Sequence, residues 1–265
     1  MPTDDRALTY STYLKIDELL GLQEPRSAGP EHDELLFIVI HQTYELWFTS
    51  LLHELARAQS VLETGETFAA LATLGRIRTI LKVLVSQVDI LETMTPLQFN
   101  SFRSRLESSS GFQSAQFREL EAVLGSRRAD ALGPLADGSQ ARRRGEAAMN
   151  RRSLWDSLLV LLHAHTGRVP ADVLSRDMSL PHEQDPRVQE VLIEAYRNDP
   201  EAALLLERFV DLDEGLQEWR YRHVKMVERT IGAKVGTGGS AGRDYLLGTL
   251  FRPVFPDLWA IRDRF

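Results

Sequence analysis

The sequence contains no cysteine. Disulfides, zinc–thiolate sites, iron–sulfur clusters and thiolate-ligated iron are therefore excluded, and a reducing, cytoplasmic setting is the one expected. A surplus of positive charge is also missing. Lys and Arg number 31 against 38 Asp and Glu, a net charge of −7, so duplex nucleic acid, whose phosphates demand a cationic surface, is not an expected partner. The clearest basic patch, Arg142 to Arg144 with Arg151 and Arg152, reads as a solvated helix face. Long hydrophobic runs are absent too. The longest, Leu35 to Ile40, falls far short of the roughly 20 residues a membrane span needs, and Met1 to Thr12 has no signal-peptide core. No membrane association is expected.

Several catalytic signatures are missing as well. There is no HExxH, no serine in a GxSxG elbow, and no isolated carboxylate pair of the glycosidase or aspartic-protease kind. The stretch Gly236 to Gly242 resembles a phosphate cradle but follows a helical pattern instead of a strand and lacks the Gly-Lys-Ser/Thr ending. It reads instead as a lid between helices, with Thr237 as its hydrogen-bonding side chain.

What is present is helical. Hydrophobic residues make up 43% of the 265, enough for one sizeable core, and they recur at steps of three and four with no convincing two-residue alternation. The expected fold is all-α, a single helical-bundle domain spanning residues 1–265. The first long helix is expected from about Pro30 through Leu62, apolar all round in its first half as a helix buried on several sides should be. A second follows over about 68–92. A third opens at Thr95-Pro96-Leu97-Gln98, where Thr caps, Pro takes the first turn and Gln stands at the capping-box position. A turn at Ser108 to Gly111 precedes a helix through FQSAQFRELEAVL, and 125–150 reads as a polar loop or short helix. Further helices are expected near 153–165, 170–175, 186–196, 200–210 and 212–234, with a short one from Arg243 and a terminal segment FPDLWAIRDRF.

Two histidines fall on inward faces. His223 shares a stripe with Leu212, Leu216, Trp219, Met226 and Ile231; His41 has Phe37 one turn before it and Glu45 one turn after. Each reads either as a core histidine satisfied by a hydrogen bond or as a ligand. A pair of inward histidines on separate helices, without cysteine or a close metal spacing, suits a cofactor that supplies most of its own ligands, such as haem. Phe99, Arg103 and Leu106 occupy positions i, i+4 and i+7, so that the arginine either snorkels past apolar neighbours or holds a carboxylate.

The segments YSTYLKIDELL, HDELLFIVIHQTYELWF, FNSFRSRLESSSGFQSAQFRELE, WRYRHVKMVERTIGAKVGTGGSAGRDYL and FPDLWAIR together resemble, in order, the signature segments of the tryptophan 2,3-dioxygenase family. Residues 125–205 align with it by position only. The resemblance implies a helical homotetramer with one haem b (iron) per subunit that cleaves the indole C2–C3 bond of L-tryptophan with O2 to N-formylkynurenine. It implies that His223 is the proximal iron ligand and His41 the distal histidine beside the indole nitrogen. Phe37 becomes a pocket wall, and Phe99 stands where the family has tyrosine or phenylalanine. Arg103 pairs with the substrate carboxylate, Thr237 contacts the amino-acid end, and Ser110 and Gly111 form another edge. Tyr10, Tyr13 and Leu14 match a segment that reaches into a neighbouring subunit's site. Ala241 stands where GTGGSSG is usual. A sister activity of the same scaffold, a haem-dependent indole monooxygenase of secondary metabolism, shares these pocket residues.

Overall fold

The computed structural model describes residues 7–29, 31–128, 130–234, 236 and 246–265, and every regular element among them is helical. Two short helices, α1 (Tyr10–Leu14) and α2 (Ile16–Leu20), precede the long α3 (Asp33–Glu63). A turn of Thr64, Gly65 and Glu66 reverses the chain into α4 (Thr67–Leu91). Then come α5 (Pro96–Phe102), a 3-10 turn over Arg103–Leu106, a second over Gly111–Gln113, and α6 (Ala115–Leu124). The remainder is α7 (Gln140–Met149), α8 (Leu154–Thr166), α9 (Ala171–Leu174), α10 (Pro186–Asn198), α11 (Pro200–Ile231) and α12 (Pro256–Ala260).

The frame consists of α4 packed against α3 on one side and α11 on the other, while α5 touches both α3 and α11 at one end. The larger apolar core runs through α3, α4, α8, α10 and α11. A second cluster, Ile40, Leu91, Met94, Phe99 and Phe102, with Phe37, Leu106, Met226 and Ile231 packed against it, fills the α5 end. Ion pairs from α11 to α4 brace that junction: Arg222 donates to Asp89 at 2.5 Å and to Glu92 at 3.1 Å, and Arg229 reaches Glu92 at 3.3 Å.

Local chemistry sets the boundaries. At α5 the Thr95 hydroxyl accepts the Gln98 amide at 3.3 Å while Gln98 Oε1 accepts the Thr95 amide at 2.8 Å, the reciprocal cap expected from the sequence. The helix expected through FQSAQF is instead broken at Ser114, whose extended backbone and hydroxyl cap α6. Within 125–150, α7 forms, and its arginines are met by carboxylates: Arg142 by Asp137 and Glu146, Arg144 by Glu119.

Two expectations are corrected. The helices at 200–210 and 212–234 are one helix of 32 residues. No glycine or proline interrupts Val210 to Asp213, and the stripe Leu205, Phe209, Leu212 and Leu216 runs on unbroken. Asp213, costly to bury alone, accepts the Val254 and Phe255 amides and the Trp259 indole N–H at 2.9, 3.0 and 3.0 Å, so the buried carboxylate anchors the C-terminal segment. Nor is the first half of α3 buried all round: Leu35, Val39 and Leu46 are 47%, 40% and 54% exposed. By length and composition α3 could cross a membrane (mean hydropathy 1.3), yet it packs on α4, α6 and α8 and carries Glu34 and Glu54, which accept from the Arg26 and Ser27 amides and from Arg76.

Candidate active site

A cavity of about 790 Å³ opens where α3, α5, α6 and α11 meet, within the size range of cofactor and small-molecule sites. The cavity wall brings together Phe37, His41, Phe99, Arg103, Ser110, Gly111 and His223, seven residues drawn from four separate stretches of sequence. Tyr10, Tyr13 and Leu14 are not on it, and Tyr10 and Tyr13 are 77% and 72% exposed. Thr237 and Ala241 lie outside the described residues, as does the start of the helix expected from Arg243.

His41 is oriented by its own helix. Its Nδ1 lies 2.7 Å from the Phe37 carbonyl one turn back. A carbonyl only accepts, so Nδ1 carries the proton and Nε2 is left with its lone pair. The ring surface opens on the cavity, but the protein around it desolvates the imidazole and lowers its pKa, against smaller upward pulls from the Phe37 carbonyl and the Glu45 charge. His41 is therefore a neutral acceptor at neutral pH. Phe37 packs on it at 4.1 Å between centroids, and Phe99 and Phe102 stand 5.8 and 5.6 Å from Phe37. Phe37 and Phe99 thus wall the cavity beside an imidazole acceptor, with the buried Phe102 packed behind them.

His223 faces the same cavity from α11. Burial pushes its pKa down to about 4, with His41 adding a smaller push in the same direction. Trp219, one turn earlier, stacks on it at 5.1 Å and 14°, itself packed against Phe117 and Tyr44. The Trp219 prop fixes the plane of a neutral imidazole.

Arg103 follows α5 as the first residue of a 3-10 turn. The expected single helical face is interrupted there, yet Phe99, Arg103 and Leu106 all reach the cavity. Ser110 caps the next 3-10 turn, accepting the Phe112 amide at 3.3 Å, which fixes Ser110 and Gly111 at the cavity edge. Ser114 Oγ and Gln116 Nε2 then donate to Glu45 at 2.6 and 2.8 Å, tying this edge to α3 one turn beyond His41.

Other wall residues were not evident from sequence. Leu19 and Leu22 reach the cavity from the N-terminal segment, where Gln42 Nε2 donates to the Leu22 carbonyl at 3.0 Å and Gln23 Nε2 donates to Gln42 Oε1 at 2.7 Å. Arg118, Glu121 and Arg220 line it from α6 and α11. No periodic signal marks these, because each acquires its place through tertiary packing.

Fold and site define a class: a helical protein with a large, mostly apolar cavity edged by two imidazoles and by the guanidiniums of Arg103, Arg118 and Arg220. The tryptophan 2,3-dioxygenase family profile matches residues 3–134 and 184–264. The chain is 60% identical over 258 residues to a tryptophan 2,3-dioxygenase of Anaeromyxobacter sp. (strain K), covering 97% of this chain and 96% of that protein. It is 56% identical over 257 residues to one of Herpetosiphon aurantiacus, covering 97% and 98%, and 44% identical to one of Caulobacter vibrioides. The chain belongs to the tryptophan 2,3-dioxygenase family.

Proposed function

We propose that the chain is a haem-dependent dioxygenase that opens the indole ring of L-tryptophan: the C2–C3 bond breaks, both atoms of O2 enter, and N-formylkynurenine results, as a first step of tryptophan catabolism. The observation that carries this reading is the tautomer of His41, which leaves Nε2 as an unused acceptor on a residue that lines the cavity together with Phe37 and Phe99, where an indole N–H is the fitting donor.

The residues present fit haem b. Among the described residues no three His, Cys, Asp or Glu gather to hold a bare ion, and a single neutral imidazole suits a group such as haem that supplies most of its own ligands. His223 is held neutral, the form that ligates metal, and among the described residues its ring makes no hydrogen bond. Bound haem supplies the oxygen-activating chemistry that side chains lack. His223 would hold the iron, and Trp219 would keep the imidazole plane fixed.

The other residues position. Phe37 and Phe99 take the faces of the indole, His41 accepts its N–H, and Arg103 pairs with the carboxylate, so that the ring carbons are held in one orientation and water is excluded by the apolar walls. Ser110, Gly111 and Thr237 complete the amino-acid end. His41 acts as an orienting acceptor and no ionised indole is required. The whole chain, 1–265, is one catalytic unit in this reading, soluble and cytoplasmic. It assembles as a homotetramer in which Tyr10, Tyr13 and Leu14 enter a neighbouring subunit's site; their exposure in the single chain supports that role.

The test compares L-tryptophan with 1-methyl-L-tryptophan, which has no N–H. His41→Ala should lower kcat/KM for L-tryptophan by roughly five- to ten-fold, the size of one neutral hydrogen bond, and leave the methylated substrate unchanged. Equal losses for both substrates would remove His41 from indole recognition.

A further inference from the structure

Residues 107–116 join the Arg103 turn to α6 and carry Ser110 and Gly111, the cavity edge given to the amino-acid end of the substrate. The segment begins under strain: Glu107, an exposed residue, has φ 48° and ψ −118°, a left-handed backbone that favours glycine. Such a conformation persists where the surroundings over-determine it, and it gathers at ligand-binding sites. The bonds inside the segment are local. Ser109 donates its amide to the Leu106 carbonyl at 2.8 Å, and Ser110 and Gln113 cap one another. These bonds shape the turn without fixing where it stands against the helices.

Glu45, one turn after His41 on α3, supplies that fixing. Its Oε1 accepts Ser114 Oγ–H at 2.6 Å, its Oε2 accepts from Gln116 Nε2 at 2.8 Å, and its carbonyl accepts from the same Nε2 at 2.9 Å. Gln116 Oε1 in turn accepts the Thr49 hydroxyl at 2.8 Å. Glu45, Thr49, Ser114 and Gln116 all line the cavity. A carboxylate has two acceptor oxygens and no donor, so it can take a hydroxyl proton and an amide proton at once. The loop bearing Ser110 and Gly111 is thereby joined to the helix bearing Phe37 and His41.

The two enantiomers of tryptophan share an indole, a carboxylate and an ammonium group, and differ only in how the last two are arranged about Cα. A site separates them when three contacts are fixed relative to one another. Here the indole contacts come from α3 and α5, the carboxylate contact from Arg103, and the third from the Ser110–Gly111 edge, which lies on no long helix. A shift of about 1 Å in such an edge is enough to spoil a positioned contact. We propose that Glu45 is a positioning residue that sets selectivity for L-tryptophan, by holding the Ser110–Gly111 edge in register with His41. This rests on the tryptophan reading above.

The experiment titrates the haem-loaded protein with L-tryptophan, D-tryptophan and indole-3-propionate, which has no amino group, and follows the haem absorbance. The unaltered protein should prefer the L to the D enantiomer. Glu45→Ala should weaken L-tryptophan about ten-fold, the size of one hydrogen bond to a charged group, and leave the affinities for D-tryptophan and indole-3-propionate nearly unchanged. Glu45→Gln, which exchanges one acceptor for a donor, should keep part of the preference. Ser114→Ala added to Glu45→Ala should lower it no further, because the two residues act through one bond. Haem content and thermal unfolding check that the variants are folded, and Glu45→Gln carries the comparison, with a smaller fall in preference, if the alanine variant does not fold. An L-to-D preference that is unchanged in these variants overturns the inference. So does an equal loss for all three ligands, the result of a merely structural tie, and so does an unaltered protein that does not distinguish the enantiomers. If the unaltered protein binds neither enantiomer, the tryptophan reading itself fails together with this inference.

Discussion

At the scale of single residues, the site depends on what hydrogen bonds leave free. His41 gives its Nδ1 proton to the Phe37 carbonyl and so keeps an acceptor for the cavity, whereas His223 is held neutral by burial and stacked on Trp219. The sequence placed both on inward faces but could not choose between a satisfied core histidine and a ligand, because periodicity reports a face and not the partner. Glu45, one turn after His41, illustrates the difference: it binds Ser114 and Gln116, and the partner of His41 is the backbone. His223→Ala should lose most bound haem and all turnover, since no cysteine exists to replace it and the other cavity histidine has a different task. Haem content by pyridine haemochrome and the ferrous spectrum check this. Normal haem content with a histidine-ligated spectrum in that variant would end the assignment.

At the scale of elements, the legible features were those encoded locally. The start of α5 could be read from Thr95, Pro96 and Gln98 because a capping box needs four consecutive residues. The continuity of α11 could not, because Asp213 looks like an interruption until Val254, Phe255 and Trp259 bring their N–H groups to it from more than 40 positions away. The break at Ser114 and the half-exposed apolar face of α3 likewise depend on what lies opposite. Two helical glycines separate propensity from packing. A Cβ on Gly215 in α11 would meet Leu81 at an ordinary 3.7 Å, whereas one on Gly145 in α7 would meet Leu132 Cδ2 at 2.6 Å. Gly215→Ala should therefore stabilise by up to about 1 kcal/mol through helix propensity. Gly145→Ala should destabilise, by about 1 kcal/mol or more, since the buried Leu132 has to move. Denaturant midpoints at constant slope measure both, and equal stabilisation of the two variants would contradict the packing described for α7.

At the scale of the whole molecule, the cavity is assembled from helices as far apart in sequence as α3, from Asp33, and α11, from Pro200, which is why Arg118, Glu121 and Arg220 gave no sign in the sequence while Phe37, His41 and His223 did through the family resemblance. The N-terminal helices add a second incompleteness. Leu19 and Leu22 reach the cavity of their own chain, but Tyr10 and Tyr13 stand in solvent, and the proposed tetramer gives them a neighbouring site to enter. Light scattering should find an oligomer, and removal of residues 1–14 should impair turnover without releasing haem. A fully active monomer would contradict the intersubunit role. The central claim, that this cavity directs both oxygen atoms into the indole ring, is tested most directly by mass spectrometry of the product formed from L-tryptophan under doubly labelled dioxygen. The account predicts N-formylkynurenine about 4 mass units heavier than the unlabelled product, one label at each of the two carbons of the former C2–C3 bond. A product carrying a single labelled atom, after correction for exchange with water, would contradict it and assign the chain to the monooxygenases of the same scaffold.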